Sequence, residues 1–206
     1  MDADDSESVF GELFNDWCND SAKDETVIDE FGEMVPVINK MYKAIKIYTS
    51  VRDYMFRRKI ESFIFHFYSL PKSTIDSIKS ELKRSPEQAQ RIGEHVLAIL
   101  ESYNDLQKAR LLAELLAALM SKYIDFIEFK RLSHAINIAY VDDTERLIST
   151  EVIPDDMTDW MGALAGSGLS YFHNDGTWKG VDKFKISQIG QKFRDAIRTV
   201  REGRDF

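Results

Sequence analysis

A chain of 206 residues that is 44% hydrophobic and 12% aromatic holds enough apolar side chain for one packed domain, or a domain with a small appendage, and excludes wholesale disorder. Its single cysteine, Cys18, excludes an internal disulfide framework and a multi-cysteine zinc site, and no run reaches the roughly 18 uncharged apolar residues of a membrane span. The formal net charge of -8 is unevenly placed: through Glu33 twelve acids stand against one base, Lys23, so this segment carries -11 and the remainder +3.

The chain divides into an acidic arm over residues 1–33, a helical body over 34–140 and a tail over 141–206. In the arm, Phe10, Leu13, Phe14 and Trp17 fall at i, i+3, i+4 and i+7, the spacing of one helical face. Residues 34–70 read as a long helical region opening near Pro36, with Ser50 and Asp53 marking a restart if it is two helices. Ile60, Phe63, Ile64, Phe67 and Tyr68 form its apolar stripe, and Pro71 ends it. A helix over 73–83 follows. Ser85-Pro86-Glu87-Gln88 predicts the next start, with Ser85 as N-cap and proline in the first turn. Residues 106–122 carry leucine and alanine on nearly every side, which predicts the central helix. Asp125 with Glu128 predicts a capping box, and Phe126, Phe129, Leu132, Ile136 and Tyr140 a buried stripe behind it.

Beyond Val141 the texture changes. Short helices are expected over 144–149 and 156–165, the second stopping at Gly166-Ser167-Gly168. Strands are expected over 169–173 and 183–186, joined through Asn174-Asp175-Gly176, and a helix over 187–201. This order, with Trp160-Met161-Gly162-Ala163-Leu164-Ala165-Gly166-Ser167-Gly168-Leu169 and then Phe184-Lys185-Ile186-Ser187-Gln188-Ile189-Gly190-Gln191-Lys192-Phe193, resembles the end of winged-helix domains. The second stretch is similar to the "strand, then Leu-Thr-x-x-Gly-x-x-Phe" ending of many bacterial winged-helix proteins, with Ile186-Ser187 in place of Leu-Thr. The resemblance covers about a third of the chain. Val35-Pro36-Val37-Ile38, Val51-Arg52-Asp53-Tyr54 and Arg58-Lys59 further resemble small bacterial helical proteins to which no function is attached. The fold expected is therefore mainly α: a helical bundle body, a C-terminal winged-helix-like α+β module and the acidic arm.

A winged helix implies DNA binding, but the charge opposes it. In that fold the helix before the wing enters the major groove. Here it offers Asp155, Asp156 and Asp159 and no cation, so phosphate would be repelled and the counterion-release contribution lost. Lys179, Lys183 and Lys185, in and beside the wing, are the candidate nucleic-acid contacts if the chain is a DNA-binding regulator.

No phosphate loop, nucleophile elbow or metal-ligand spacing is found, and the four histidines have no second His or Cys at chelating distance. No catalytic, cofactor or metal site is expected, and the chain is read as a cytoplasmic non-enzyme without a secretory leader. The basic run Lys40, Lys43, Lys46, Arg52, Arg57, Arg58 and Lys59 interleaves with apolar residues. It is a solvated helix face, an interfacial helix on anionic lipid, as in a membrane-associated phage-defence effector, or a docking face for acidic protein. The candidate partner-binding residues are accordingly Phe10, Leu13, Phe14 and Trp17 of the arm with Lys43, Lys46, Arg57, Arg58 and Lys59. The partner is another protein or a second copy of the chain, and the arm either completes the body's own core or engages a groove in cis or in trans.

Overall fold

The computed structural model describes residues 29–44, 51–153, 158–174 and 183–203. Phe10, Leu13, Phe14, Trp17, Lys46 and Lys179 lie outside the described residues, as does most of the turn between the two strands.

The chain is mainly α. After helical residues 29–34 come α1 (Pro36–Ala44), α2 (Val51–Tyr68), α3 (Lys72–Arg84), α4 (Pro86–Ser102), α5 (Gln107–Met120), α6 (Phe126–Ile138), α7 (Val141–Ser149) and α8 (Asp159–Ala165). The strands β1 (Ser170–His173) and β2 (Lys183–Ile186) and the helix α9 (Gln188–Arg201) complete it. Among the described residues no helix is long and apolar enough to cross a membrane.

The all-round apolarity of α5 has the consequence expected of it: α2, α3, α6 and α9 pack around it, and even Lys108 and Glu114 on its surface are buried. On α2, Ile60, Phe63, Ile64 and Phe67 turn inward, and Phe31 meets Phe63 and Phe67 edge-on at 5.8 and 5.0 Å. Phe31 belongs to the segment read as arm, so the core begins before residue 33. Leu164, Leu169, Phe193 and Ile197 of the tail join the same continuous apolar core.

Local start signals act unequally. Asp125 and Glu128 make the full capping box: the Glu128 amide donates to Asp125 Oδ1 at 2.8 Å and the Asp125 amide to Glu128 Oε2 at 2.9 Å. α4 begins at Pro86 as expected, but the Ser85 hydroxyl caps nothing. Ser85 both closes α3 and opens α4, and the proline that follows restricts its backbone further. Tyr140 departs from the predicted buried stripe and is 74% exposed. α6 stops at Ile138 and Ala139 is extended, so the 3.6-residue period that would have buried Tyr140 no longer applies.

In the tail, β1 and β2 pair antiparallel, with Ser170 opposite Ile186, Tyr171 opposite Lys185, Phe172 opposite Phe184 and His173 opposite Lys183. Ser187 joins this hairpin to α9 with three bonds. Its amide donates to the Leu169 carbonyl at 3.0 Å, its hydroxyl donates to the Gly168 carbonyl at 2.6 Å, and it accepts from the Gly190 amide at 2.9 Å as N-cap. A Cβ on Gly190 would collide with the Leu169 carbonyl oxygen, which is why a helical position that favours alanine carries glycine.

Candidate functional site

Arg57, Arg58 and Lys59 of α2 are half-buried, while Arg52 is exposed. Arg57 Nε donates to Glu61 Oε1 at 2.9 Å, its guanidinium lies 4.4 Å from the centre of the Tyr42 ring, and the Tyr42 hydroxyl donates to the same Glu61 oxygen at 3.1 Å. Burial, then the Glu61 charge, pushes the Tyr42 phenol well above its usual range. Arg58 reaches Glu61 at 3.5 Å, Lys59 Nζ donates to the Glu101 carbonyl at 3.0 Å, and Arg52 pairs with the Glu101 carboxylate. These contacts stitch α2 to α1 and α4. Lys43 stands at the exposed edge, paired with Asp29 at 2.8 Å.

The arginines of α9 are engaged in the same way. Arg194 and Arg198 cover the carbonyls left open where α7 ends: Arg194 donates to Thr150 and Glu151, and Arg198 to Ile148 and Thr150. Lys192 approaches Glu128 at 3.7 Å and lies over the Tyr123 ring.

The hairpin presents a different surface. Because opposed residues of an antiparallel pair share a face, Ser170, Phe172, Phe184 and Ile186 lie on one side and Tyr171, His173, Lys183 and Lys185 on the other. The first side packs on α8, where Gly162 admits the Phe184 ring and Ser170 donates to the Met161 carbonyl. The second side faces away from α8, with Tyr171 44% exposed and its ring 6.2 Å from that of His173. Phe172, although on the α8 side, remains 51% exposed. α8 buries Trp160, Met161 and Leu164, exposes Asp159 and Ala163, and contains no cation.

A cleft of about 640 Å³ lies between the end of α2, α5 and α9, lined by His66, Ser69, Leu70, Pro71, Arg110, Glu114, Val200 and Arg201. Arg201 ties its wall together, donating to Glu114 through Nε at 2.9 Å and Nη2 at 3.0 Å, and to Glu145 of α7 through Nη1 at 2.7 Å and Nη2 at 2.8 Å. Those hydrogen bonds hold the Glu145 carboxyl below its usual range although burial opposes the shift. Arg110 adds one bond, from Nε to Glu114 at 3.3 Å. Burial, then the Arg110 charge, pulls the His66 imidazole below its ordinary value.

Of the other histidines, His95 Nε2 lies 2.8 Å from Ser133 Oγ, against the Phe126 and Phe129 rings. Ser133 is wholly buried and its hydroxyl donates to the Lys130 carbonyl, whereas His95 is half-buried. Among the described residues no three His, Cys, Asp or Glu side chains are grouped to hold a metal ion.

Tyr171 and His173 are absent from the sequence-derived candidates, although strand alternation places them beside Lys183 and Lys185. His66, Arg110 and Arg201 could not be found that way, because they come from three helices far apart in the chain. No protein-family model, no curated protein and no solved structure matches this chain.

Proposed function

We propose that this is a non-enzymatic interaction protein, an adaptor or regulator, whose tail is a winged-helix-like module turned to docking acidic protein. The observation that carries the reading is the partition of charge within the tail. In the winged-helix reading α8 is the helix that would meet a duplex, and it exposes Asp159 and carries no cation, while the outward hairpin face combines Tyr171, His173, Lys183 and Lys185. A carboxylate-rich segment with aromatic anchors suits such a face: the lysines steer it and the rings supply contact area. Residues 1–28, with nine acids against Lys23 for a charge of -8 and with Phe10, Leu13, Phe14 and Trp17, have that chemistry, in the same chain or in a second copy. Arg57 and Lys59 hold α2 to α1 and α4, and Arg58 pairs with Glu61 of α2 itself, so the docking surface centres on the tail.

The test is a titration of a labelled peptide of residues 1–28 into chain lacking them, with light scattering on the intact protein. Saturable binding that weakens at least tenfold when Lys183→Glu and Lys185→Glu are combined supports the reading. No binding, together with an oligomeric state and partner binding indifferent to removal of the arm, overturns it.

The second reading is a DNA-binding regulator, supported by the same lysines beside an exposed aromatic on the wing, with Lys179 added from outside the described residues. It requires a salt-dependent gel shift that disappears with Lys183 and Lys185.

A further inference from the structure

We infer that the cleft between α2, α5 and α9 is a binding site for a small organic monocarboxylate, with Arg110 as the head-group receptor and Leu70, Pro71 and Val200 as the seat for a short apolar tail. Its residues are separate from the hairpin face, so the inference stands independently of the docking role. The volume of about 640 Å³ falls within the roughly 300–1,000 Å³ of small-molecule sites.

The chemistry follows from how the two arginines are used. Arg201 is committed to two carboxylates through four hydrogen bonds and so is part of the wall. Arg110 donates to Glu114 through Nε alone, its side chain is 47% exposed, and its two Nη groups meet no acceptor among the described residues. A planar guanidinium with its distal edge open receives a planar carboxylate through two parallel N–H···O bonds. His66 and Ser69 line the same hollow: the neutral imidazole carries one N–H, whereas the Ser69 hydroxyl donates to the Phe65 carbonyl at 2.9 Å and serves only as wall. Glu114 and Glu145 set the charge limit. The two arginines already balance these two acids, so a dianion such as phosphate would place excess negative charge beside them, whereas a monoanion adds a single charge at the open fork. A metal cation is disfavoured by the same guanidinium groups.

The test uses the full chain, isotope-labelled, titrated with sodium butyrate, sodium acetate and inorganic phosphate at constant ionic strength, with sodium chloride as the reference. The expected result is a saturable shift of the Arg110 Nε–H and Val200 methyl signals with butyrate, weaker saturation with acetate, which lacks the tail, and none with chloride. Arg110→Gln weakens butyrate at least tenfold, and Arg110→Lys, which keeps the charge but loses the fork, falls between. Arg201 still holds Glu114 in both variants, and an unchanged thermal midpoint confirms that the fold persists. Shifts that do not saturate, that equal those of chloride, that survive Arg110→Gln or that are stronger with phosphate than with butyrate overturn the inference.

Discussion

Replacing Arg201 by methionine removes the guanidinium that bonds both Glu114 of α5 and Glu145 of α7 to α9. Glu114 and Glu145 do not suffer equally. The Glu114 side chain is 8% exposed and is left with only the single 3.3 Å bond from Arg110, while Glu145 is 35% exposed and can take water in place of the guanidinium. Breaking a buried pair from one side costs about 3–5 kcal/mol, because the orphaned charge stays desolvated. The remaining bond to Arg110 places Glu114 near the low end, at about 3 kcal/mol. Glu145, like other partly exposed pairs, adds under about 1 kcal/mol. With a urea slope of about 2 kcal/mol per molar, the unfolding midpoint drops by about 1.5 M or slightly more. The decisive measurement is the cycle with Glu114→Gln. If the loss comes from a stranded carboxylate, neutralising it in the Arg201→Met background restores at least about 1 kcal/mol, so the two changes are strongly non-additive. A loss below about 1 kcal/mol for Arg201→Met, or simple additivity with Glu114→Gln, refutes the reasoning.

Gly190→Ala should destabilise by roughly 1–3 kcal/mol, although alanine is the better helix former by about 1 kcal/mol, because the new methyl meets the backbone carbonyl of Leu169 rather than a side chain that could move; a thermal midpoint at or above wild type contradicts the assigned clash. Stability should also fall as the solution is acidified. His66 and His95 titrate below the ordinary histidine value of about 6.5 in the folded chain, so below that pH the unfolded chain binds more protons and gains on the folded one until the folded histidines titrate in turn. The depressed Glu145 carboxyl adds a second loss, beginning below the ordinary glutamate value of about 4.3 and complete once the pH has passed through its folded value. Urea midpoints from pH 7.5 down to about 2.5 check both windows, and a His66→Gln, His95→Gln chain that keeps the full slope between pH 6.5 and 5 contradicts the histidine assignment.

Local features of the chain were enough to place most helices. Asp125 and Glu128 predicted a capping box, Pro86 a helix start, and the leucine-rich circumference of residues 106–122 a central helix, because each depends on neighbours within one or two turns. Ser85 shows where that reach ends: a hydroxyl suited to capping is held by two helices meeting at one residue and caps neither. Tyr140 shows it again, since a spacing pattern cannot say that the helix stops two residues earlier. The charge asymmetry and the alternation along β1 and β2 were likewise in the sequence, and with them the cationic side of the hairpin. What the sequence alone could not separate were cations of one chemistry and different fate. Arg57, Arg201 and Lys185 are all basic residues among apolar ones, yet the first closes on Tyr42 and Glu61, the second joins Glu114 to Glu145, and the third stands on the side of its strand opposite the one packed on α8. His66, Arg110 and Arg201 meet around one cleft only when α2 and α9 close on α5. Periodicity is a property of neighbouring residues, whereas pairing of charge and the shape of a cleft are set by distances that exist only after the helices have packed.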